Sequence, residues 1–260
     1  MRRIYRVLSL FWRTSWAAEM EYRSNFVFAC ISSLGTLFGS AFSLWLFYRA
    51  GAGFPGYSVY EGAVVLGIFS IFTGVVASVL SPNLSRIVTH VQEGTLELLL
   101  LKPLDSQLQV SLRVFSPWGV PDMFFGALVC AWGLWHAGGV GPRSFIAVVP
   151  FVAGVLLLYA LWFLVATTSV WFTKIYNATE VLRGLLDAGR FPMAAYPASY
   201  RLVFTFIVPV AFLTTVPAEA LLGRATSTFL LASPVVAVVA FGLSRLVWRR
   251  ALRSYTGASG

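Results

Sequence analysis

Residues 145 to 172 read FIAVVPFVAGVLLLYALWFLVATTSVWF, a run without one charged side chain. A helix rises about 1.5 Å per residue, so a run of this length exceeds the roughly 30 Å hydrocarbon core of a bilayer. It has the length and the composition of a transmembrane helix. Working outward, five more apolar stretches approach the same length, at 24–47, 59–81, 114–136, 202–217 and 228–247. The pattern predicts an all-α polytopic membrane protein, a single transmembrane domain with six transmembrane helices. The stretch at 202–217 is short and interrupted by Pro209. It is either a kinked fifth span or a piece that re-enters the membrane, since broken backbone at membrane depth survives only inside protein or along a cavity.

Composition agrees with the spans. The chain has 260 residues, 58% hydrophobic and 11% charged, with a mean hydropathy of +0.79. A water-soluble domain carries about a quarter charged residues, so soluble enzymes are excluded. The net charge of +9 comes from basic residues scattered singly between apolar runs, nearly all of them Arg. That dispersion reads as a topology signal and not as a nucleic-acid patch. With an even number of spans both termini share a side, and sixteen of the nineteen basic residues fall there, leaving Arg49, Arg143 and Arg224 opposite. Cytoplasmic loops retain positive charge, so both termini are expected in the cytoplasm. Cys30 and Cys130 lie inside apolar runs and suggest buried filler, neither a disulfide nor a thiolate metal site.

The first 23 residues are too polar to begin a cleaved signal peptide. On a helical wheel Ile4, Val7, Leu8, Phe11, Ser15 and Ala18 share a face, opposite Arg2, Arg6, Ser9 and Arg13. This predicts an amino-terminal amphipathic interfacial helix. Membrane lipid is therefore a partner at this end as well as along the spans.

No phosphate-binding loop is present, because neither Lys102 nor Lys174 follows a glycine in the required pattern, and no G-x-S-x-G, H-E-x-x-H or C-x-x-C motif occurs. Catalytic, cofactor-binding and metal residues are expected to be none. Glu61 and Asp122 lie near span ends, and ion coupling usually needs charge at mid-depth. If the chain moves something, the energy comes from another subunit and the path suits an amphipathic cargo.

Between the second and third spans lies PNLSRIVTHVQEG, residues 82 to 94, then TLELLLLKPLDS. A short helix ended by Gly94 would present Gln92 and Glu93 to a partner; a solvated loop is the plainer alternative. The stretch VQEGTLELLLLKPLDSQ, Val91 to Gln107, resembles the signature of type-two ABC exporter permeases. A second block is similar to the same family: Arg190-Phe191-Pro192, Tyr196-Pro197, residues 206 to 212 and PAEALLG at Pro217 to Gly223. The resemblance covers essentially the whole chain.

It implies a permease in the bacterial cytoplasmic (inner) membrane that pairs with a second permease subunit and with two cytoplasmic ABC ATPase subunits, which bind the ATP and Mg. It implies no nucleic acid. It makes Asn83 to Glu93 an ATPase-coupling loop with Asn83, Arg86, His90, Gln92 and Glu93 as its residues. It makes Pro209, Pro217, Glu219 and Gly223 part of an outer re-entrant segment.

Residues 174–200 are expected as a cytoplasmic loop, with a helix starting at Asn177, Glu180 completing a capping box and Gly189 ending it. Cytoplasmic placement makes the sequon at Asn177 inert. Small residues recur at helical spacing in Ser32, Gly35, Gly39 and Ser43, and again in Ser70, Gly74, Ala77 and Ser81. Such stripes serve helix packing within a subunit or a subunit interface. Two other classes remain: a lipid-modifying enzyme using His90, Glu93 and Glu97 at i, i+3 and i+7, and a scaffold that transports nothing.

Overall fold

The computed structural model describes residues 2–19, 21, 23–97, 101, 105–172, 178–207 and 209–255. Regular structure among these is helical throughout. Helix α1 is Arg2–Glu19 and α2 is Arg23–Arg49; α3 is Val59–Val75, running through a π turn at Val76–Leu80 into α4, Ser81–Gln92. Short α5, Ser106–Ser111, precedes α6, Val120–His136, and α7, Val148–Thr167. Then come α8, Ala178–Leu186, α9, Ala198–Leu202, α10, Thr215–Leu221, and α11, Ser227–Ser254.

Among the described residues four helices are long and apolar enough to cross a membrane: Ser24–Arg49, Val59–Gln92, Pro142–Val170 and Ser227–Ser254. They coincide with the predicted first, second, fourth and sixth spans. The predicted third span, 114–136, shortens to the 17 residues of α6, preceded by a 3-10 turn at Pro117–Gly119. The second span does not stop at 81: it continues as one 34-residue helix to Gln92. At about 1.5 Å per residue this is roughly 51 Å, so its last turns extend beyond a bilayer core.

Helix α3 starts because Ser58 and Glu61 form a reciprocal capping box, Glu61 N donating to Ser58 Oγ at 3.2 Å and Ser58 N to Glu61 Oε2 at 2.7 Å. Its partner is α6, and the two backbones touch through glycines. A Cβ on Gly67 would lie 2.6 Å from Gly126 O and from Cys130 N, and one on Gly74 would lie 2.5 Å from Gly119 O. Of the two small-residue stripes, the one through Ser70 and Gly74 therefore packs inside the chain. The other does not: Gly35 and Gly39 have nothing within 4 Å, and α2 buries Ser33, Leu37, Ser40 and Leu44 instead. The α2 stripe leaves its own bundle unused.

The described part of the stretch 174–200, predicted as a cytoplasmic loop, packs against the bundle. Phe191 packs on Phe54 and Phe47, at ring separations of 5.5 and 6.1 Å, so it belongs to the end of the bundle that carries the α2–α3 turn. Arg183 at the start of this stretch donates to Ser81 Oγ at the α4 end, and Arg190 lies over the Phe69 ring halfway along α3. Ala178–Arg190, α8 with its 3-10 turn, thus lies along the bundle beside α3 and its π turn, about 21 Å by helical rise. The expected cap residues Asn177 and Glu180 lie outside what is described, the latter in its side chain.

The stretch 202–217 is likewise not a straight span. Ala198–Thr205 and Val210–Leu221 meet at 71°. The first follows Tyr196 and Pro197, which line a cleft with Phe54, and the second ends where Glu219 meets Tyr57. Both arms open at one end of the bundle, which is a hairpin dipping in. Val210 to Ala218 are buried throughout, as broken backbone within a bilayer requires. Moving Arg190 and Arg201 away from the α4 end leaves most of the basic residues there. Cysteines placed at Ala52 and Ala194 are expected to react with an impermeant thiol reagent from one side of a sealed vesicle, and a cysteine at Gln92 from the other. Labelling of Ala194 together with Gln92 would restore the loop.

Candidate functional site

The chemistry gathers at two ends. At the first, α4 stops in a Schellman turn: Thr95 N donates to His90 O at 3.0 Å, Gly94 N to Val91 O at 3.4 Å, and Gly94 takes φ +68°. The helix therefore ends where the sequence predicts, presenting Gln92 and Glu93 exposed at its tip. Arg86 is also exposed, whereas His90 is half-buried and its Nδ1 pairs with Thr95 Oγ1 at 2.8 Å. The positive φ at Gly94 breaks the register on which His90, Glu93 and Glu97 would form one helical row, so the structure removes the geometric basis of the enzyme alternative.

Asn83 has a different place from the other four. It is 2% exposed, and its amide closes a two-way clamp, Nδ2 donating to Val114 O at 2.7 Å and Val114 N donating to Oδ1 at 2.8 Å. It also donates to Val79 O. Its side chain is spent inside the protein and is not a surface contact. The clamped segment in turn receives α1. Trp12 Nε1 donates to Leu112 O at 3.1 Å, Trp12 lies tilted against Phe115 while Trp16 stacks on it, and Trp118 Nε1 donates to Glu19 Oε2 at 2.8 Å. One irregular stretch thereby connects α1 to α4.

Behind the tip lies a polar network absent from the sequence reading. Asp105 caps α5 by accepting from Leu108 N at 3.1 Å, and it forms a bidentate ion pair with Arg245 of α11. Arg245 also donates to Gln107 Oε1 at 3.2 Å. Gln107, 3% exposed, donates to Tyr159 OH of α7 and to Ser244 Oγ of α11. Ser111 Oγ lies 2.9 Å from Tyr159 OH, and Trp248 Nε1 donates to Ser106 Oγ at 3.0 Å. The short helix α5 that follows the α4 tip is bolted to α7 and α11, the third and last of the long helices. Arg245 holds the Asp105 carboxyl below its usual range. The contribution of a carboxylate so shifted is complete above its ordinary pKa of about 4 and lost only as pH falls through the lowered value. The ion pair is therefore insensitive to pH near neutrality. Its signal in the sequence was slight, because the two partners stand 140 positions apart.

At the opposite end Gly223, at φ +71°, closes α10 with a second Schellman turn: Arg224 N donates to Glu219 O at 2.9 Å and Gly223 N to Ala220 O at 3.1 Å. Pro217 occupies the first turn of α10, where its missing N–H costs nothing. Pro209 ends the first arm of the hairpin and is buried. Glu219 accepts from Tyr57 OH at 2.7 Å, while Arg224 donates to Gly56 O and Glu61 Oε1 and lies over the Tyr57 ring. The hairpin is thus tied to the α2–α3 turn. Ser32, Gly35 and Gly39 are exposed along α2, and Ser43 donates to Gly39 O.

These features define a multi-pass helical membrane protein with a projecting helical tip at one end and a pinned hairpin at the other. The family model described as ABC-2 family transporter protein matches residues 34–259, and the chain belongs to that family. It is the permease component of an ABC transporter, and membership implies association with ABC ATPase subunits. No curated protein and no solved structure matches it.

Proposed function

We propose that this chain is the permease half of an ATP-driven exporter, a single transmembrane domain that pairs with a second permease and with two cytoplasmic ATPase subunits. Those subunits hold the ATP and Mg; this chain binds neither and catalyses nothing. Six crossings suit the geometry: α2, α3, Pro117–His136, Pro142–Val170, Ala178–Arg190 and α11, with the hairpin dipping in from the outer face. The arginines near the α4 end favour a cytoplasmic placement of both termini in an inner membrane. Helix α1 lies at that surface, with Trp12 and Trp16 turned to the bundle.

The observation that carries this reading is the 34-residue helix whose exposed end, Arg86, Gln92 and Glu93, projects beyond the bilayer core. A rigid helix continuous with a span is a lever: force applied at the tip reaches the bundle without a flexible joint. A hydrophobic or amphipathic cargo enters between two permeases and leaves when the ATPases close. The paired variant Arg86→Ala with Glu93→Ala, purified with its ATPase, is expected to keep the fold and lose most cargo-stimulated ATP hydrolysis. Coupled turnover at the wild-type rate would remove the tip from the mechanism, and a chain that copurifies with no ATPase would remove the exporter.

A further inference from the structure

Arg86 and His90 on α4 and Arg113 on the segment leading into α6 line one notch at the α4 end of the bundle. Its volume, about 10 Å³, admits a single oxygen-sized group. Asn83 lines the same notch, and its two hydrogen bonds with the Val114 backbone fix the two walls against each other. The site is built by the fold and is not a chance meeting of long side chains.

The lining carries two guanidinium groups and no carboxylate. Neither Arg86 nor Arg113 has a hydrogen-bond or ion-pair partner among the described residues, whereas Arg224 and Arg245 each meet a carboxylate. Glu93, whose charge is felt at the His90 ring, stands two turns beyond Arg86 on the exposed tip and does not line the notch. Helix α8 attaches through Arg183 at Ser81, about 160° round α4 from Asn83. Two like charges held on facing walls repel each other, and an anion between them removes the repulsion.

Depth selects the anion. Arg86 stands about 40 Å along its helix from Val59, and a bilayer with its headgroups is about 40–45 Å thick, so the notch lies at the level of one leaflet's phosphates. Trp12, which donates to the carbonyl of Leu112 next to Arg113, is exposed, as is Trp16; such indoles mark the membrane–water interface. The notch therefore opens where lipid headgroups are the nearest anions.

We infer that Arg86 and Arg113 bind the phosphodiester of one anionic phospholipid, with one of its free oxygens seated in the notch and its chains in the adjoining leaflet. Arginine pairs well with phosphate, and basic pockets at a membrane face hold such headgroups. A zwitterionic headgroup would bring its own cation towards two guanidinium groups. The site needs the bilayer and not the ATPase, so it stands apart from the export reading. Because Arg86 also belongs to the coupling tip, the test turns on Arg113 and is made without ATPase.

The full-length permease in detergent is to be titrated with phosphatidylglycerol and, separately, with phosphatidylcholine of the same acyl chains, bound lipid being counted by native mass spectrometry. The first phosphatidylglycerol is expected to bind about tenfold more tightly than the first phosphatidylcholine. Arg113→Gln should remove that preference and Arg113→Lys should keep part of it, while Arg143→Gln, at the opposite end, should keep all of it. Arg86→Gln gives the same loss should Arg113→Gln fail to fold. Equal affinity for the two lipids, a preference that survives both glutamine variants, or one lost instead from Arg249→Gln combined with Arg250→Gln overturns the proposal. Inorganic phosphate is expected to leave the lipid in place, and its displacement of the lipid would show a free-phosphate site instead. In the complete complex, loss of the ATPase from Arg113→Gln beside an unchanged lipid preference would make the notch a protein contact and sink the lipid.

Discussion

Asp105→Asn is expected to lower ATP-coupled transport about tenfold or more, the size of a typical coupling energy, while costing only about 1 kcal/mol of stability or less. The two effects separate for physical reasons. Asn caps helices as well as Asp does, so α5 keeps its first turn. The ion pair to Arg245 is about a third exposed on each side, and exposed pairs contribute little to folding. What disappears is the bidentate constraint that makes the segment behind the coupling tip move with the last helix. Gln107 keeps its bonds to Tyr159 and Ser244, so the segment stays attached on one side and slips on the other. The measurement is transport per ATP hydrolysed in reconstituted vesicles. ATP hydrolysis that continues while transport falls supports a mechanical role; a variant that transports normally shows that the network only stabilises.

The charge itself is tested by exchange. Placing Arg at 105 and Asp at 245 restores attraction without restoring the cap, so recovery of coupling by the double variant assigns the effect to the pair. Failure of the double variant, which lacks the cap, beside normal coupling in Asp105→Asn, which keeps it, would assign the effect to the helix cap and to the shape of α5. Near-neutral pH should leave the wild-type ratio unchanged, because Arg245 keeps Asp105 ionised below the ordinary carboxylate range.

The four long spans were legible because length without charge is a strong signal, and the structure moves their ends most where α3 continues into polar α4 and where the last helix runs on to Ser254. The path of Ala178–Arg190 was not. Ala178–Arg190 is short and carries Arg183, Asp187 and Arg190, so its composition is that of a loop, and the contacts of Arg183 with Ser81, Arg190 with Phe69 and Phe191 with Phe54 reveal where it goes. Hydropathy placed the fifth span at 202–217, which is more apolar, and the structure bends that stretch by 71°. The end of α4 was readable through Gly94, because only a left-handed residue ends a helix in that way. The Asp105 network was not, since pairing across such a separation leaves no local pattern.

The two glycine stripes should respond in opposite ways to the same substitution. Gly67→Ala places a methyl group 2.6 Å from backbone atoms of α6, and backbone cannot rotate aside. The helices must part, and overpacking of this kind costs about 1–3 kcal/mol per site. Gly126→Ala meets the same contact from the other helix, with Gly67 O at 2.8 Å, so the double variant should not be additive. Once α3 and α6 have separated for the first methyl group, the second finds part of the room already made. Thermal unfolding of the purified permease measures both. Gly35→Ala and Gly39→Ala meet nothing within 4 Å, and alanine is the better helix former, so the lone chain should be unaffected or slightly more stable. If the α2 stripe is where the second permease packs, these variants lose the assembled complex while keeping the melting temperature of the monomer. An assembly unchanged by both would send the partner elsewhere, while a monomer destabilised by Gly35→Ala would mean that α2 packs on its own bundle more closely than its open flank allows.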